Sequence, residues 1–342
     1  MGVQLGDISE KRKIELEDLK DRVIAIDAFN SIYQFLSIIR QMDGTPLMDA
    51  EGRVTSHLSG LLYRTGKLFE AGIKPIYVFD GKPPVLKHKT IAERQEIKKE
   101  AVKKFEKAKS EGDVTSMKKY AQATSKLTGE MLEDSKNLLK AMGVPVVQAP
   151  SEGEAQAAFI AKNKDAWASA SQDFDSLLFG SPRLIRNMTI TGRRKLPGKN
   201  VFVLVEPELL ELDEVLGSLC ITHEQLVDIG ILVGTDFNDG VKGIGPKKAL
   251  DAVKNGKSAD DVYKENGVEP DVDLSELRRL FLKPDVTNDY SIKFEAPNET
   301  RIYEILVEEH DFTRDRVEKV VEKLKETFEN KGSQERLDKW FG

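Results

Sequence analysis

The chain of 342 residues holds one cysteine, Cys220. A lone thiol excludes a disulfide framework and a thiolate zinc site. Histidine is scarce too: His57, His88, His223 and His310 are scattered, and no two stand at a metal-ligand spacing. No apolar run approaches the roughly 18 residues of a membrane span. The opening MGVQLGDISEKRK lacks an apolar signal core. It begins Met-Gly, but Gly6 stands where a myristoylation pattern needs Ser or Thr. The expectation is a soluble intracellular protein that does not engage a membrane. Net charge is −6, so bulk charge does not mark a nucleic-acid binder.

The distribution of charge says otherwise. Residues 82–126 carry 13 Lys/Arg against 6 Asp/Glu, and residues 181–200 carry 6 basic residues and no acid. With 39% hydrophobic and 32% charged residues, the chain suits a globular protein with ample length to bury a core. No internal repeat or low-complexity segment stands out.

Acids recur at the ends of apolar runs. RVIAID at 22–27 and KPIYVFD at 74–80 are apolar on both faces and end in Asp27 and Asp80. Such runs read as central strands of a mostly parallel sheet, where ligands collect at the carboxyl ends. Taken singly, either aspartate also fits a helix N-cap. AWASASQDFDSLLF at 166–179 reads as a buried strand running into Asp173 and Asp175. Residues two apart on extended chain point the same way, so the two carboxylates are expected side by side. Like charges that close repel unless a cation sits between them; solvated loop aspartates are the alternative.

Helical periodicity covers 29–39, 57–71 and 131–142, and a strand is expected at 144–148. Ser151-Glu152-Gly153-Glu154 then opens a helix through 161. Ser151 and Glu154 fit a capping box, which explains Glu154 but not Glu152. A further strand is expected at 201–205. After Gly81-Lys82-Pro83-Pro84 comes a charged, helix-prone stretch to about 126, broken at 110–113. There Lys87, Arg94 and Lys98 share one helical face. That face reads as plain solvated surface or as a mobile positive element beside an active site.

Residues 222–233 read as a capped helix, leading to GTDFNDG at 234–240 and GIGPKKAL at 243–250. The Gly243-x-Gly245 turn, then Pro246 and a helix, aims free backbone N–H groups outward with Lys247 and Lys248 beside them. This fits a helix-hairpin-helix that grips a duplex backbone without reading sequence; a plain turn is the alternative. Short mixed helices are expected over 258–296 and an amphipathic helix over 311–328. The tail carries Gln334, Leu337, Trp340 and Phe341 in the spacing Q-x-x-L-x-x-W-F, which suits a partner surface.

The candidate acids are Asp27, Asp80, Glu152, Glu154, Asp173, Asp175 and Asp236. Oxygen-only donors favour Mg²⁺, with Mn²⁺ able to substitute. Seven exceed the needs of one ion. Two ions about 4 Å apart would let one activate the attacking water while the other steadies the leaving oxygen of a phosphodiester. Lys87 and Arg94 add charge stabilisation for the transition state. Tyr33 suits stacking on a base, or is an ordinary core aromatic.

Seven motifs in this order and spacing resemble a flap endonuclease, a structure-specific 5′ nuclease of the XPG/Rad2 type in its archaeal and eukaryotic branch. They are I-D-A-F-N at 26–30, V-F-D-G-K-P-P at 78–84, S-E-G-E-A-Q-A-A at 151–158 and S-Q-D-F-D-S-L-L-F at 171–179. G-T-D-F-N at 234–238, G-I-G-P-K-K-A at 243–249 and the terminal box complete the set. The resemblance spans essentially the whole chain. It implies an α/β fold, a PIN-like core with helices on both sides of the sheet, a helical arch and a helix-hairpin-helix. It implies that the seven carboxylates hold two Mg²⁺, that Lys87 and Arg94 lie at the base of the arch, and that Tyr33 stacks near the scissile nucleotide. Gly2, exposed after Met1 removal, would sit near the site. Gly243, Gly245, Lys247 and Lys248 would hold the duplex, and the tail would dock on a PCNA-type sliding clamp. Asp239 has no role in this pattern.

The expected division is 1–98, an N-terminal nuclease half; 99–115, arch; 116–258, an internal nuclease half; 259–329, a helical region; and 330–342, a clamp-binding tail. The expected protein is a monomer that removes 5′ flaps from branched DNA in replication and repair, with 5′→3′ exonuclease activity. The rivals are a related 5′ nuclease acting on RNA or other junctions, and a non-catalytic junction scaffold on the clamp. An Asp-based phosphatase would need a second aspartate after Asp27, and Ala28-Phe29 supplies none.

Overall fold

The computed structural model describes residues 2–113, 116–117, 120, 124, 126–190, 192–195 and 202–341, with the backbone alone at 193–195, 202–203 and 330–341. Its strands are β1 (Arg12–Lys13), β2 (Val23–Asp27), β3 (Lys74–Phe79), β4 (Val146–Gln148), β5 (Ala168–Ala170), β6 (Arg183–Arg186), β7 (Gly192–Lys195), β8 (Phe202–Val205) and β9 (Glu208–Glu211). Seven form one sheet in the order β1-β9-β6-β5-β2-β3-β4. The run from β6 to β4 is parallel, while β9 and β1 pair antiparallel at the other edge. The core is therefore α/β and mostly parallel, as its apolar runs imply. Of the strand expected at 201–205, the described residues Phe202–Val205 form β8, but it pairs with β7 in a separate antiparallel ribbon, because β9 already covers the edge of β6.

Alternation along the central strands buries both faces. Ile24, Ile26, Tyr77 and Phe79 face one core with side chains from the helices Ala28–Ile38, Ser56–Glu70 and Gly129–Ala141. Val317, Val321 and Leu324 of the last helix close it. Ala25, Ile76, Val78 and Val147 face the other way, onto Ala157 and Ile160 of the helix Gly153–Lys162. Small alanines let that helix lie close to the sheet. Phe79 is fully buried one residue before Asp80. Deleting such a ring to Ala typically costs about 3–5 kcal/mol, so the ring pins the strand end.

A second core lies beyond β5. Phe174, Leu177 and Leu178 pack there with Leu226, Ile229 and Phe281 from the helices His223–Val233 and Leu274–Leu282. Thr222 and Gln225 make the expected capping box. The helix His88–Ser110 differs in kind, since its buried residues are Ala101 and Ala108 alone. It starts one residue later than the shared face of Lys87, Arg94 and Lys98 requires. Lys87 closes a 3-10 turn, Val85–Lys87, which follows Pro84 in extended backbone at ψ 150°; a residue before proline is held out of the helical region, so Pro84 keeps Pro83 extended too.

The last helix runs Arg314–Phe341, so its backbone continues where a separate tail is expected. The side chains of Gln334, Leu337, Trp340 and Phe341 lie outside the described residues. Among the described residues no single helix is long and apolar enough to cross a membrane.

Candidate active site

Four adjacent parallel strands, β5-β2-β3-β4, deliver acids at their carboxyl ends. Asp27 ends β2 and caps the helix Ala28–Ile38, its Oδ1 accepting from Asn30 N at 3.0 Å. The N-cap role and the site position thus coexist. Asp80 follows β3, and its Oδ1 accepts from Gly153 N at 2.6 Å, at the start of the helix Gly153–Lys162. Glu152 is the N-cap residue of that helix. Glu154 does not make the expected capping box with Ser151. Its Oε1 instead accepts from Ser176 N at 3.0 Å and Ser176 Oγ at 2.6 Å, because the packed turn after β5 presents those donors.

Asp173 and Asp175 are not neighbours on extended chain. β5 ends at Ala170, the chain bends, and Asp175 opens the helical turn Asp175–Leu178. What unites the pair is the N-terminal segment. Gly2 N donates to Asp173 Oδ1 at 3.2 Å and Val3 N to Asp175 Oδ1 at 2.7 Å. A Cβ on Gly2 would stand 2.6 Å from Asp173 Cβ, so only glycine approaches this closely. Asn30 Nδ2 also donates to Asp173, at 3.1 Å.

A cleft of about 680 Å³ is lined by Asp27, Asp80, Glu152, Glu154, Asp173 and Asp236, with Tyr33, Lys87 and Arg94 on its wall. Tyr33 is 43% exposed, which rules out the core-aromatic reading. Lys87 pairs with Glu152 and lies 3.9 Å from Asp236; Arg94 reaches Asp236 at 2.6 Å.

The acids crowd one another electrostatically. Burial, then Glu152, pushes Asp80 up to about 6; burial, then Asp236, pushes Asp175 up to about 7. Burial, followed by Asp80 and Asp173, holds Asp27 well above the usual carboxylate range. Burial, followed by Asp175 and Asp173, does the same to Glu154. Asp236 goes the other way: burial raises it, but Arg94 and Lys87 help bring it below its ordinary value. Burial lowers the Lys87 ammonium, yet Glu152, Asp80 and Asp236 outweigh this and hold it above the usual lysine value.

This donor set fits hard divalent cations, because it is oxygen-only and carries more negative charge than its two cations balance. Among the described residues no group of three acids already closes round one point at ligating distance. Each acid instead has a hydrogen bond or ion pair.

The hairpin stands to one side. Gly243, at φ +87°, adopts a turn that favours glycine. Gly245 caps the helix Pro246–Lys254 without a side chain. Lys247 and Lys248 are exposed, and Lys248 Nζ donates to Gly243 O at 3.0 Å. Asn238 Nδ2 braces the loop by donating to Ile231 O at 2.8 Å.

Residues 1–101 match the XPG N-terminal domain and residues 143–236 the XPG I-region. With the parallel sheet and its acidic cleft, these matches define a metal-dependent, phosphodiester-hydrolysing nuclease. The chain is 55% identical to flap endonuclease 1 of Thermococcus onnurineus, over 100% of this chain and 99% of that one. It is also 55% identical to flap endonuclease 1 of Methanosarcina barkeri, over the full length of both. The solved flap endonuclease-1 from Methanococcus jannaschii matches with TM-score 0.77 and 46% identity, over 96% of this chain and 100% of that one. The chain belongs to the flap endonuclease family. The catalytic core of Rad2 in complex with DNA substrate shares the fold, with TM-score 0.72 and 22% identity over 95% of this chain and 100% of that one.

Sequence reasoning missed the amides of Val3 and Gly153, and also Asn30 and Ser176. Asn30, Gly153 and Ser176 each carried a signal, lying within I-D-A-F-N, S-E-G-E-A-Q-A-A and S-Q-D-F-D-S-L-L-F, whereas Val3 lies in none of the motifs.

Proposed function

We propose that the chain cuts 5′ flaps from branched DNA during replication and repair, with 5′→3′ exonuclease action on the same site. The observation that carries this reading is the cleft itself. Acids from four adjacent strand ends face two cations, Lys87 and Arg94, rooted at a long exposed helix. Asp27, Asp80, Glu152, Glu154, Asp173, Asp175 and Asp236 would hold two Mg²⁺, for which Mn²⁺ can substitute. Bound there, the ions supply Lewis-acid polarisation of the phosphate and of the attacking water.

The chain's own groups orient and neutralise. Lys87 and Arg94 offer N–H donors to the non-bridging phosphate oxygens, where charge builds up during cleavage. Tyr33 offers an exposed ring for the base beside the scissile bond. Gly2 leaves room for Asp173 to keep its position. The backbone amides of the first turn of Pro246–Lys254, reached past Gly243 and Gly245, take phosphates of the duplex together with the Lys247 and Lys248 side chains. The segment 99–115 forms an arch around the 5′ strand, between nuclease halves at 1–98 and 116–258. Residues 259–329 support the second half. The tail, through Gln334, Leu337, Trp340 and Phe341, docks on a PCNA-type clamp. The protein acts inside the cell as a monomer.

The test compares an end-labelled double-flap DNA with the same sequence as plain duplex and as single strand, in Mg²⁺ and in EDTA. Metal-dependent cutting near the 5′ flap junction, with little on the single strand, is expected. Equal cutting of all three would remove structure specificity from this reading, and tight junction binding without cutting would replace it with a scaffold role.

A further inference from the structure

Asp239 follows the Asp236 motif but lies outside the cleft. Its Oδ2 meets Lys89 Nζ at 2.5 Å, and Lys89 Nζ also reaches Asp271 Oδ2 at 3.1 Å. Asp271 Oδ1 accepts from Asp239 N at 3.5 Å, so the triad closes on itself. It joins three segments: the first turn of the helix His88–Ser110, the loop after His223–Val233, and the loop before Leu274–Leu282.

The arch helix has little apolar anchorage, since only Ala101 and Ala108 are buried along it. Ionic ties at its base matter correspondingly more. Lys87 ties it to Glu152 and Asp236, and Arg94 ties it to Asp236. Both of those ties use groups that cleavage requires elsewhere, the acids for metal and the cations for phosphate. The Lys89 tie uses none of them.

We propose that Lys89, Asp239 and Asp271 form a positioning latch that sets Lys87 and Arg94 relative to the hairpin gripping the duplex. This rests on the flap-cleavage reading above. None of the three touches a reacting atom. Lys89 and Asp239 keep side-chain exposures of 49% and 64%, so the latch adds little to global stability. Its effect falls on placement, and hence on the rate of the chemical step.

The test measures single-turnover flap cleavage, flap-DNA dissociation constants and amide exchange over residues 90–100. It uses wild type, Lys89→Ala and the charge-exchanged pair Lys89→Asp with Asp239→Lys. Lys89→Ala should slow cleavage about 5-fold through misplaced cations, leave the dissociation constant within about twofold and speed exchange along the helix. The exchanged pair should restore both rate and protection. Wild-type cleavage by Lys89→Ala would overturn the latch. So would a loss confined to DNA binding, or an exchanged pair no better than the single variant. If wild type itself fails to cut flaps, the functional reading falls instead, and the exchange measurement, which needs no substrate, still decides the latch.

Discussion

Replacing His57 with leucine should flatten the acid limb of the stability curve. His57 is 1% exposed, in the helix Ser56–Glu70. Among the described residues neither ring nitrogen has a hydrogen-bond partner. Burial, then the neighbouring His310, lowers its pKa from 6.5 to about 3. His310 is itself engaged, with Nδ1 3.2 Å from Asp49 and Nε2 3.8 Å from Asp134. The folded imidazole therefore stays neutral until about pH 3, while the unfolded one takes a proton near its ordinary value of 6.5. A depressed pKa means that this group's contribution is fully present above the unfolded value and is lost as pH falls toward the folded one. The slope is about 1.4 kcal/mol per pH unit once the unfolded ring is protonated. Between pH 7 and pH 5 the wild type should lose about 2 kcal/mol through His57, and His57→Leu should lose none of it. Urea unfolding at both pH values in EDTA measures the difference. Equal losses in the two proteins would refute the reasoning, because they would require His57 to take up protons in the fold as readily as in the open chain.

Asp175→Asn should abolish flap cutting yet stabilise the metal-free protein at pH 8. Asp175 is pushed up to about 7, so the fold is favoured below the ordinary carboxylate range and loses that advantage as pH rises through 7. Asparagine can still accept from Val3 N, so urea unfolding in EDTA should show a gain of about 2–4 kcal/mol at pH 8 that closes toward pH 4; a variant no more stable than wild type at pH 8 would contradict the crowding argument. Gly2→Ala should cut cleavage about 10- to 100-fold by pushing on Asp173 while leaving the melting temperature nearly unchanged, and wild-type cleavage rates would rule this out. Deleting residues 330–342 should leave intrinsic cutting intact and remove stimulation by a sliding clamp; equal stimulation of the truncated protein would end the tail's assigned role.

The strand ends were legible because two signals coincide there: apolarity on both faces and a terminal acid. Those signals placed Asp27 and Asp80, and the sheet that holds them, without any long-range information. The register between strands was not legible. The site's finer geometry depends on contacts that no local pattern encodes. Val3 N and Asp175 lie 172 residues apart, so nothing near either one announces the bond. Asp173 and Asp175 were misplaced by extended-chain reasoning, because β5 stops at Ala170 and the chain bends first. Glu154 shows the converse failure: a valid local capping pattern lost to Ser176, which offers two donors from a packed turn. Lys87 was drawn onto a helix that Pro83 and Pro84 delay.

The same acids explain why the cleft needs the arch. Two unit charges about 4 Å apart repel by ~4 kcal/mol at an effective dielectric near 20, so packed carboxylates strain the fold that gathers them. Backbone amides relieve part of this and never titrate: those of Gly2, Val3, Asn30 and Gly153 each donate to one acid of the set. Lys87 and Arg94 relieve more, and their ion pairs among the described acids of the set fall at Glu152 and Asp236. The side around Asp27, Glu154 and Asp175 has no cation within ion-pair distance among the described residues, and there burial and mutual repulsion lift the pKa values. Ligation by Glu152 and Asp236 would release Lys87 and Arg94 toward a phosphate. On the function proposed above, the two cations would thus serve the fold in the free protein and the substrate in the loaded one. Occupancy of the acids and placement of the arch are linked through the same few ion pairs.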